Sequence, residues 1–300
     1  MDHQPQLETM AVNPARVGNS KAIRMKSFYK KLAKNKAAMV GAFIVIVFSL
    51  LAIFAPLLAP YDPTEMQLSK KLETPSSEHW LGTDDKGRDI LSRLLYGSRI
   101  SLTVGILSTL LGALTGIILG VVAGYYGRWV DSLIMRICDV LLAFPGILLA
   151  LAIVSVLGAS TTNVIIAVAF YAIPTFARIV RGSTLTVKKL EYIDAIKAMG
   201  ARDTRIIIKH ILPNVLSPII VQSTLYIASA IITASALSFL GMGTKPPTPE
   251  WGTMLAQGRS YVAQAPHITL FPGLVILLVV VGFNLFGDGL RDALDPKTKK

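Results

Sequence analysis

The sequence has little cysteine and little charge. Only 16% of its 300 residues are charged, whereas ordinary soluble domains carry roughly 25%. Hydrophobic residues make up 52%, and the mean hydropathy is +0.56. The one cysteine, Cys138, cannot form a disulfide within the chain, and no second thiol supports a redox or metal site. This composition argues against a soluble or disordered protein and predicts one that lies in a bilayer.

The sequence also lacks the common motifs of catalysis. It contains no Gly-Lys dipeptide, so the phosphate-binding loop G-x-x-x-x-G-K-[ST] cannot be present. The four histidines are too scattered for a metal-ligand spacing such as H-E-x-x-H, and the hydrolase motif G-x-S-x-G does not occur. We therefore expect neither an enzyme nor a metal site.

Six apolar runs are each about long enough to cross a hydrocarbon core of about 30 Å as a helix, the fourth being somewhat short. A cluster of lysines precedes the first run, which is typical of a retained signal anchor. The predicted spans are Ala37–Ala59, Ile100–Ala123, Leu133–Leu157, Val164–Ile179, Val215–Leu240 and Ile268–Phe286. The sequence thus predicts an all-α membrane protein of six transmembrane helices, with both termini on one side.

The distribution of basic residues orients these spans. One side is predicted to hold 22 of the 30 Lys and Arg residues and the whole net charge of +12, and the positive-inside rule makes that side cytoplasmic. The basic residues are scattered without an aromatic-interleaved patch, which argues against nucleic-acid binding. The predicted organisation is a cytoplasmic segment (1–36), a first span (37–59), an external segment (60–99), a five-helix core (100–290) and a cytoplasmic tail (291–300).

A row of glycines recurs every fourth residue in the second predicted span. It comprises Gly112, Gly116, Gly120 and Gly124. Such a face of small residues lets another helix backbone approach closely, so we expect it to serve helix packing.

A polar stripe at helical spacing marks the fifth predicted span. It comprises Gln222, Tyr226, Ser229 and Thr233. One interpretation is that these side chains line a solvated pathway. The other is that the hydroxyls bond to carbonyls of the preceding turn and serve helix packing, which is common in membrane helices.

The longest internal cytoplasmic segment, loop 183–214, has a helix–glycine–helix pattern. Leu190, Ile193 and Ile196 give an apolar face at helical spacing and predict a first helix that stops at Gly200. Asp203 is expected to cap a second helix at Thr204–His210, before Pro213 opens the fifth span. Two short helices around a glycine suggest a docking surface.

This loop resembles the EAA loop of bacterial ABC-importer permeases, E-A-A-x-x-x-G-x₉-I-x-L-P. The matching residues are Asp194, Ala195, Ile196, Gly200, Leu212 and Pro213, with the family's spacing kept. Asp194 replaces Glu, Ile196 replaces the second Ala, and His210 stands at the family's Ile position.

Three further stretches are similar to the dipeptide/oligopeptide/nickel class of these permeases, and specifically to its C-type subunit. They are the segment that begins at His79-Trp80-Leu81-Gly82-Thr83-Asp84, the stretch Pro246 to Gly252, and the C-terminal stretch Gly287 to Pro296. The resemblance covers about residues 37–296.

The resemblance implies a transport subunit of the bacterial inner membrane without a cofactor of its own. Its partners would be a B-type permease subunit, two cytoplasmic ATPases that hold ATP and Mg, and an external solute-binding protein. Loop 183–214 would couple to an ATPase. The substrate stays open among dipeptides, oligopeptides, glutathione-like peptides and nickel chelates, with dipeptides or glutathione favoured. A free-standing channel or secondary carrier is the alternative from another class.

The external segments allow two interpretations. Asp84, Arg88, Asp89 and Trp251 could contact the binding protein, or the segments that hold them could seal the pathway from outside. The acidic residues could also suggest a metal site, but Lys86 and Arg88 stand among them, so we expect an internally neutralised loop.

Overall fold

The computed structural model describes residues 30–294, which are almost entirely helical and contain no strand beyond one isolated bridge. The predictions for 1–29 and 295–300 lie outside the described residues. The helices are α1 (Lys36–Ile53), α2 (Ala55–Leu58), α3 (Ile90–Tyr126), α4 (Arg128–Leu142), α5 (Gly146–Leu157), α6 (Thr161–Lys188), α7 (Glu191–Ala198), α8 (Asp203–Ile206), α9 (Leu212–Phe239), α10 (Trp251–Gly258) and α11 (His267–Leu294). The predicted all-α fold is confirmed.

Within residues 30–294, five helical stretches are each long and apolar enough to cross a membrane. They are α1, α3, α6, α9 together with the residues from Asp203 that lead into it, and α11. The second of these begins at Ile90, ten residues before the predicted start at Ile100. The carboxylate of Asp89 accepts the backbone N–H of Ser92 (2.7 Å) and caps the helix there. The predicted external segment 60–99 therefore ends as part of α3.

The prediction of one continuous helix over Leu133–Leu157 is wrong. The chain bends by 90° between α4 and α5, and the two helices together are long and apolar enough for one broken span. Pro145 precedes α5 and has no N–H to continue the α4 ladder. Its ring also disfavours helical backbone at the preceding residue, so the helix ends before it.

The glycine row lies at the contact between α3 and α6. A Cβ atom built on Gly116 would stand 2.5 Å from the Cβ of Phe176, and one on Gly124 would stand 2.8 Å from the Cβ of Thr184. Gly112 and Gly120 meet α6 in the same way. Glycines later in α3 contact later residues of α6, so the two helices run parallel. Their backbones lie closer together than side chains at the glycine positions would allow.

The first and last helices pair along another glycine contact. Gly41 and Gly282 face one another across α1 and α11, and a Cβ on Gly41 would lie 2.7 Å from the Gly282 carbonyl oxygen. Asn35 donates to the Asp292 carboxylate (3.3 Å) at the beginning of α1 and the end of α11. These helices are therefore antiparallel, and the described chain starts and finishes at the same end of the bundle.

Two groups of connecting segments close the bundle. Residues 60–89 and 241–266 lie with the starts of α3 and α11, and we call this region the cap. Residues 189–211 lie where α3 and α6 end and α9 begins, and we call them the coupling segment. The candidate functional residues fall into these two regions.

Candidate functional site

The coupling segment attaches to the bundle through one apolar cluster. Ile193 of α7 is 2% exposed and belongs to a cluster with Val187 of α6, Val121 of α3 and Ile206 of α8. Ile193 is the one buried residue of α7, although the sequence assigned its apolar face to Leu190 and Ile196 as well. Leu190 is exposed and Ile196 is partly buried.

The rest of α7 faces outward. The side chains of Asp194, Ala195 and Lys197 are exposed, and Met199 is 78% exposed. The helix ends as expected at Gly200, which has a φ of +82° and open space around its Cα. Its N–H donates to the Lys197 carbonyl (3.0 Å). This short helix thus has one buried residue, ends before a left-handed glycine, and leaves most of its surface exposed.

The second predicted helix of the segment differs from the expectation. Asp203 is the first residue of α8 and not its cap, because Arg202 has the extended backbone of the cap position. The short α8 leads through a π-helical turn at Ile207–Ile211 directly into α9, where Pro213 occupies the first turn. Asp203 is therefore free of a capping role, and its carboxylate accepts from the hydroxyl of Tyr125 (2.6 Å).

The cap contains charged side chains that are buried within the chain. Arg88 is fully buried, and its Nε donates to Asp84 Oδ2 (2.7 Å) while its Nη2 donates to Gln257 Oε1 (3.1 Å). Asp84 also accepts the backbone N–H groups of Lys86 and Arg88. Arg93 Nε lies 3.4 Å from the same carboxylate. The expected internal neutralisation of this loop is confirmed, with Arg93 and Gln257 as members that sequence reasoning missed.

Two further predicted cap residues are buried beside this network. Asp89 caps α3 with one carboxylate oxygen and lies 3.0 Å from His79 Nδ1 with the other. Trp251 is fully buried, and its indole N–H donates to the Leu94 carbonyl (3.2 Å). It packs against Gly97, where a Cβ would stand 3.0 Å from the indole.

All four predicted contact residues, Asp84, Arg88, Asp89 and Trp251, are buried and bonded within the chain. Sequence reasoning took charge and an aromatic ring as signs of exposure, whereas these groups have bonding partners inside the fold. That these residues contact a binding protein stays a prediction. That the cap seals the pathway stays a prediction.

The polar stripe of α9 divides between the two interpretations. Tyr226 is buried in the core, with its ring 5.5 Å from that of Phe176. Thr233 donates to the Ser229 carbonyl (2.9 Å), as the packing interpretation expects. Gln222 and Thr233 are partly buried and Ser229 is exposed. A pathway role stays a prediction for all four residues.

The sequence matches two models of known protein families. The model of the binding-protein-dependent transport system inner membrane component matches residues 116–300. The model of the N-terminal transmembrane domain of oligopeptide transport permease C matches residues 24–75. Together these two matches include the coupling segment, most of the membrane helices and the beginning of the cap.

Curated relatives match over nearly the whole chain. The dipeptide transport system permease protein DppC of Alkalihalophilus pseudofirmus is 54% identical over 271 residues, which are 90% of this chain and 89% of the relative. The glutathione transport system permease protein GsiD of Pectobacterium atrosepticum is 48% identical over 300 residues, which are 100% of both chains.

A solved structure shares the fold at low sequence identity. A chain of the inward-facing MetNI methionine ABC transporter aligns with a TM-score of 0.56 and 19% identity. The alignment covers 69% of this chain and 98% of that one.

Proposed function

Because the chain belongs to the family of binding-protein-dependent transport system inner membrane components, we propose that it is the C-type permease subunit of an ATP-driven peptide importer. It is a multi-pass membrane protein. The proposed location is a bacterial inner membrane, with the coupling segment on the cytoplasmic side as the basic residues predict. The proposed partners are a B-type permease subunit, two ATPases and a solute-binding protein.

The observation that carries the proposal is the exposed helix α7. A connector that served topology alone would have no reason to hold a helix on one buried residue with its remaining faces uncovered. Docking into a cleft of an ATPase would cover these faces, among them Asp194 and Ala195. The energy source then lies on the partner, in keeping with a chain whose sequence contains no phosphate-binding loop.

The geometry indicates how motion would pass to the membrane helices. The coupling segment is joined without a flexible linker to α6 on one side and to α9 on the other. A displacement of α7 by an ATPase would therefore move the ends of two membrane helices as a rigid body. The proposed result is a change between inward-open and outward-open states of the subunit pair.

The proposed substrates are dipeptides or glutathione. This assignment is supported by the two curated relatives, which are named for dipeptide and for glutathione transport. The alternative is import of nickel chelates by the same architecture. Every feature of the coupling segment is equally compatible with it.

The test is uptake into proteoliposomes that hold this chain with its B-type partner, both ATPases and the binding protein. We expect ATP-dependent uptake of a labelled dipeptide or glutathione, with no uptake of a nickel chelate. Uptake by this chain alone, driven by an ion gradient without ATP, would establish the secondary carrier and overturn the proposal.

A matched pair of variants tests the coupling segment within that assay. Gly200 and Gly241 both have a φ of +82° and open space around them, but Gly241 lies in the cap. Replacement by valine strains both backbones alike. We expect Gly200→Val to abolish transport and ATPase association while Gly241→Val retains both. Equal transport by the two variants would refute the coupling role.

A further inference from the structure

The end of α3, the end of α6 and the start of α8 meet at Tyr125. Tyr125 lies in the last turn of α3, and its side chain is 6% exposed in the apolar cluster that also holds Ile193. Lys188 ends α6, and Asp203 begins α8. No sequence motif reveals this contact, because Tyr125, Lys188 and Asp203 are far apart in the chain.

Tyr125 bonds to both neighbours through different atoms. Its hydroxyl donates to Asp203 Oδ1 (2.6 Å), and its backbone carbonyl accepts from Lys188 Nζ (2.5 Å). The Lys188 ammonium also lies 5.4 Å from the centre of the tyrosine ring. The carbonyl is one of those that the end of α3 leaves without a helical partner, so the lysine satisfies it.

The hydroxyl contact is the polar link between α3 and the part of the coupling segment that leads into α9. A hydrogen bond to a carboxylate is short and about twice as strong as one between neutral groups. Here it is held against a buried ring, whose position the apolar cluster fixes. A push on the coupling segment at Asp203 would therefore reach α3 directly, in addition to α6 and α9, to which the segment is joined covalently.

We propose that Tyr125 is a positioning residue of energy coupling, whose hydroxyl locks Asp203 to the end of α3 so that α3, α6 and α9 move together with α7. This inference rests on the proposed function. Tyr125 lies in the apolar cluster that holds Ile193, the buried residue of α7, so its hydroxyl sets the rigidity of the coupling segment from beneath the exposed faces of that helix.

The test measures molecules imported per ATP hydrolysed by the full reconstituted complex. Tyr125→Phe removes only the hydroxyl and keeps the ring and the Lys188 contact. Tyr126→Phe is the control, since it removes the same atom from the next residue, whose side chain is 51% exposed. Asp203→Ala removes the acceptor, whereas Asp203→Asn keeps an oxygen that can accept the bond.

We expect Tyr125→Phe and Asp203→Ala each to lower the ratio of import to hydrolysis by about tenfold, the scale of one hydrogen bond to a charged group. Assembly of the complex should stay unchanged. The double variant should be no worse than either single one, because both remove the same bond. Asp203→Asn should recover most of the ratio, and Tyr126→Phe should match the unmodified protein.

Two results would overturn the inference. One is an unchanged ratio in Tyr125→Phe, and the other is a loss in that variant that merely follows loss of assembled complex. Either result leaves the proposed function standing, provided that the unmodified complex imports with ATP. Failure of the unmodified complex to import would instead count against the proposed function itself.

Discussion

The cap and the coupling segment differ in where their charged side chains lie. At the centre of the cap, Asp84 and Arg88 are buried together with Arg93 of α3. The coupling segment buries an isoleucine, Ile193, and leaves its charged side chains in solvent. The buried charges of the cap bond mainly to groups of the same chain, whereas the coupling segment leaves most of a helix uncovered and has surface that a partner could cover.

The difference follows from the energetics of burial. A buried ion pair contributes little beyond the cost of removing its charges from water, but losing one partner leaves the other uncompensated and strongly destabilises the fold. The cap therefore tolerates little rearrangement at its centre. Contacts of an exposed helix cost little to form or release, which suits a surface that docks in each transport cycle.

The largest expected effect comes from breaking the cap. Arg88→Met keeps much of the side-chain volume, but the Asp84 carboxylate then has two backbone N–H groups and, as its charged partner, the more distant Arg93 guanidinium. We expect a loss of about 3–5 kcal/mol in the free energy of unfolding. Thermal unfolding of the purified complex in detergent measures it. Arg99→Met is the control, since Arg99 is an exposed residue of α3, the helix that begins just after Arg88, and its effect should be small. Equal effects would remove the distinction between buried and exposed charge on which the comparison depends.

The cap also marks where sequence reasoning failed. The apolar runs predict the helices because hydrophobicity and length are local properties. Whether Arg88 or Trp251 faces water depends on Gln257 and Leu94, which are distant in the sequence and carry no signal of their own. The bend was missed because Leu133–Leu157 was judged by its length and overall hydrophobicity, although Pro145-Gly146 within it is a local signal for a break.

The coupling segment was predicted more fully because its signals are local. The apolar spacing and Gly200 indicate a helix and its end, and the structure contains both. The role of Asp203 was misjudged, since a carboxylate before a helical stretch usually caps it. Its bond to Tyr125 joins residues 78 positions apart, which no local pattern reveals.

The second prediction detaches the coupling segment without disturbing the cap. Ile193→Ala removes the buried side chain of α7 and leaves a cavity, which costs about 2–5 kcal/mol in a well-packed core. We expect this loss of stability to appear as faster backbone hydrogen exchange, confined to residues 190–200. Ile208→Ala, at a side chain that is 57% exposed, is the control and should leave exchange unchanged. Faster exchange in the cap as well would mean that the two regions are not independent.

The third prediction concerns the helices that join the two regions. Gly116→Ala would place its Cβ 2.5 Å from Phe176 Cβ, so α3 and α6 must separate, at a cost of about 1–3 kcal/mol. Gly182→Ala is the same change in α6 with open space around it, and it should be neutral or slightly stabilising. Unfolding temperatures of the two variants in detergent give the comparison. Similar values would show that α3 and α6 are not closely packed and could not carry motion between the regions.

The smallest expected effect comes from an exposed ion pair of the cap, and it tests whether burial or charge alone stabilises this region. Lys70 and Glu78 form an ion pair at the cap surface, and the lysine lowers the pKa of the Glu78 carboxyl below its ordinary 4.5. Whatever stability the pair adds is present above that ordinary pKa and is lost as the pH falls through the lowered one. Because solvent screens the pair, Lys70→Met should leave the unfolding temperature at pH 7 unchanged within error, at low salt and at 0.5 M salt alike. A loss comparable to that of Arg88→Met would mean that the number of ion pairs, and not their burial, holds the cap together.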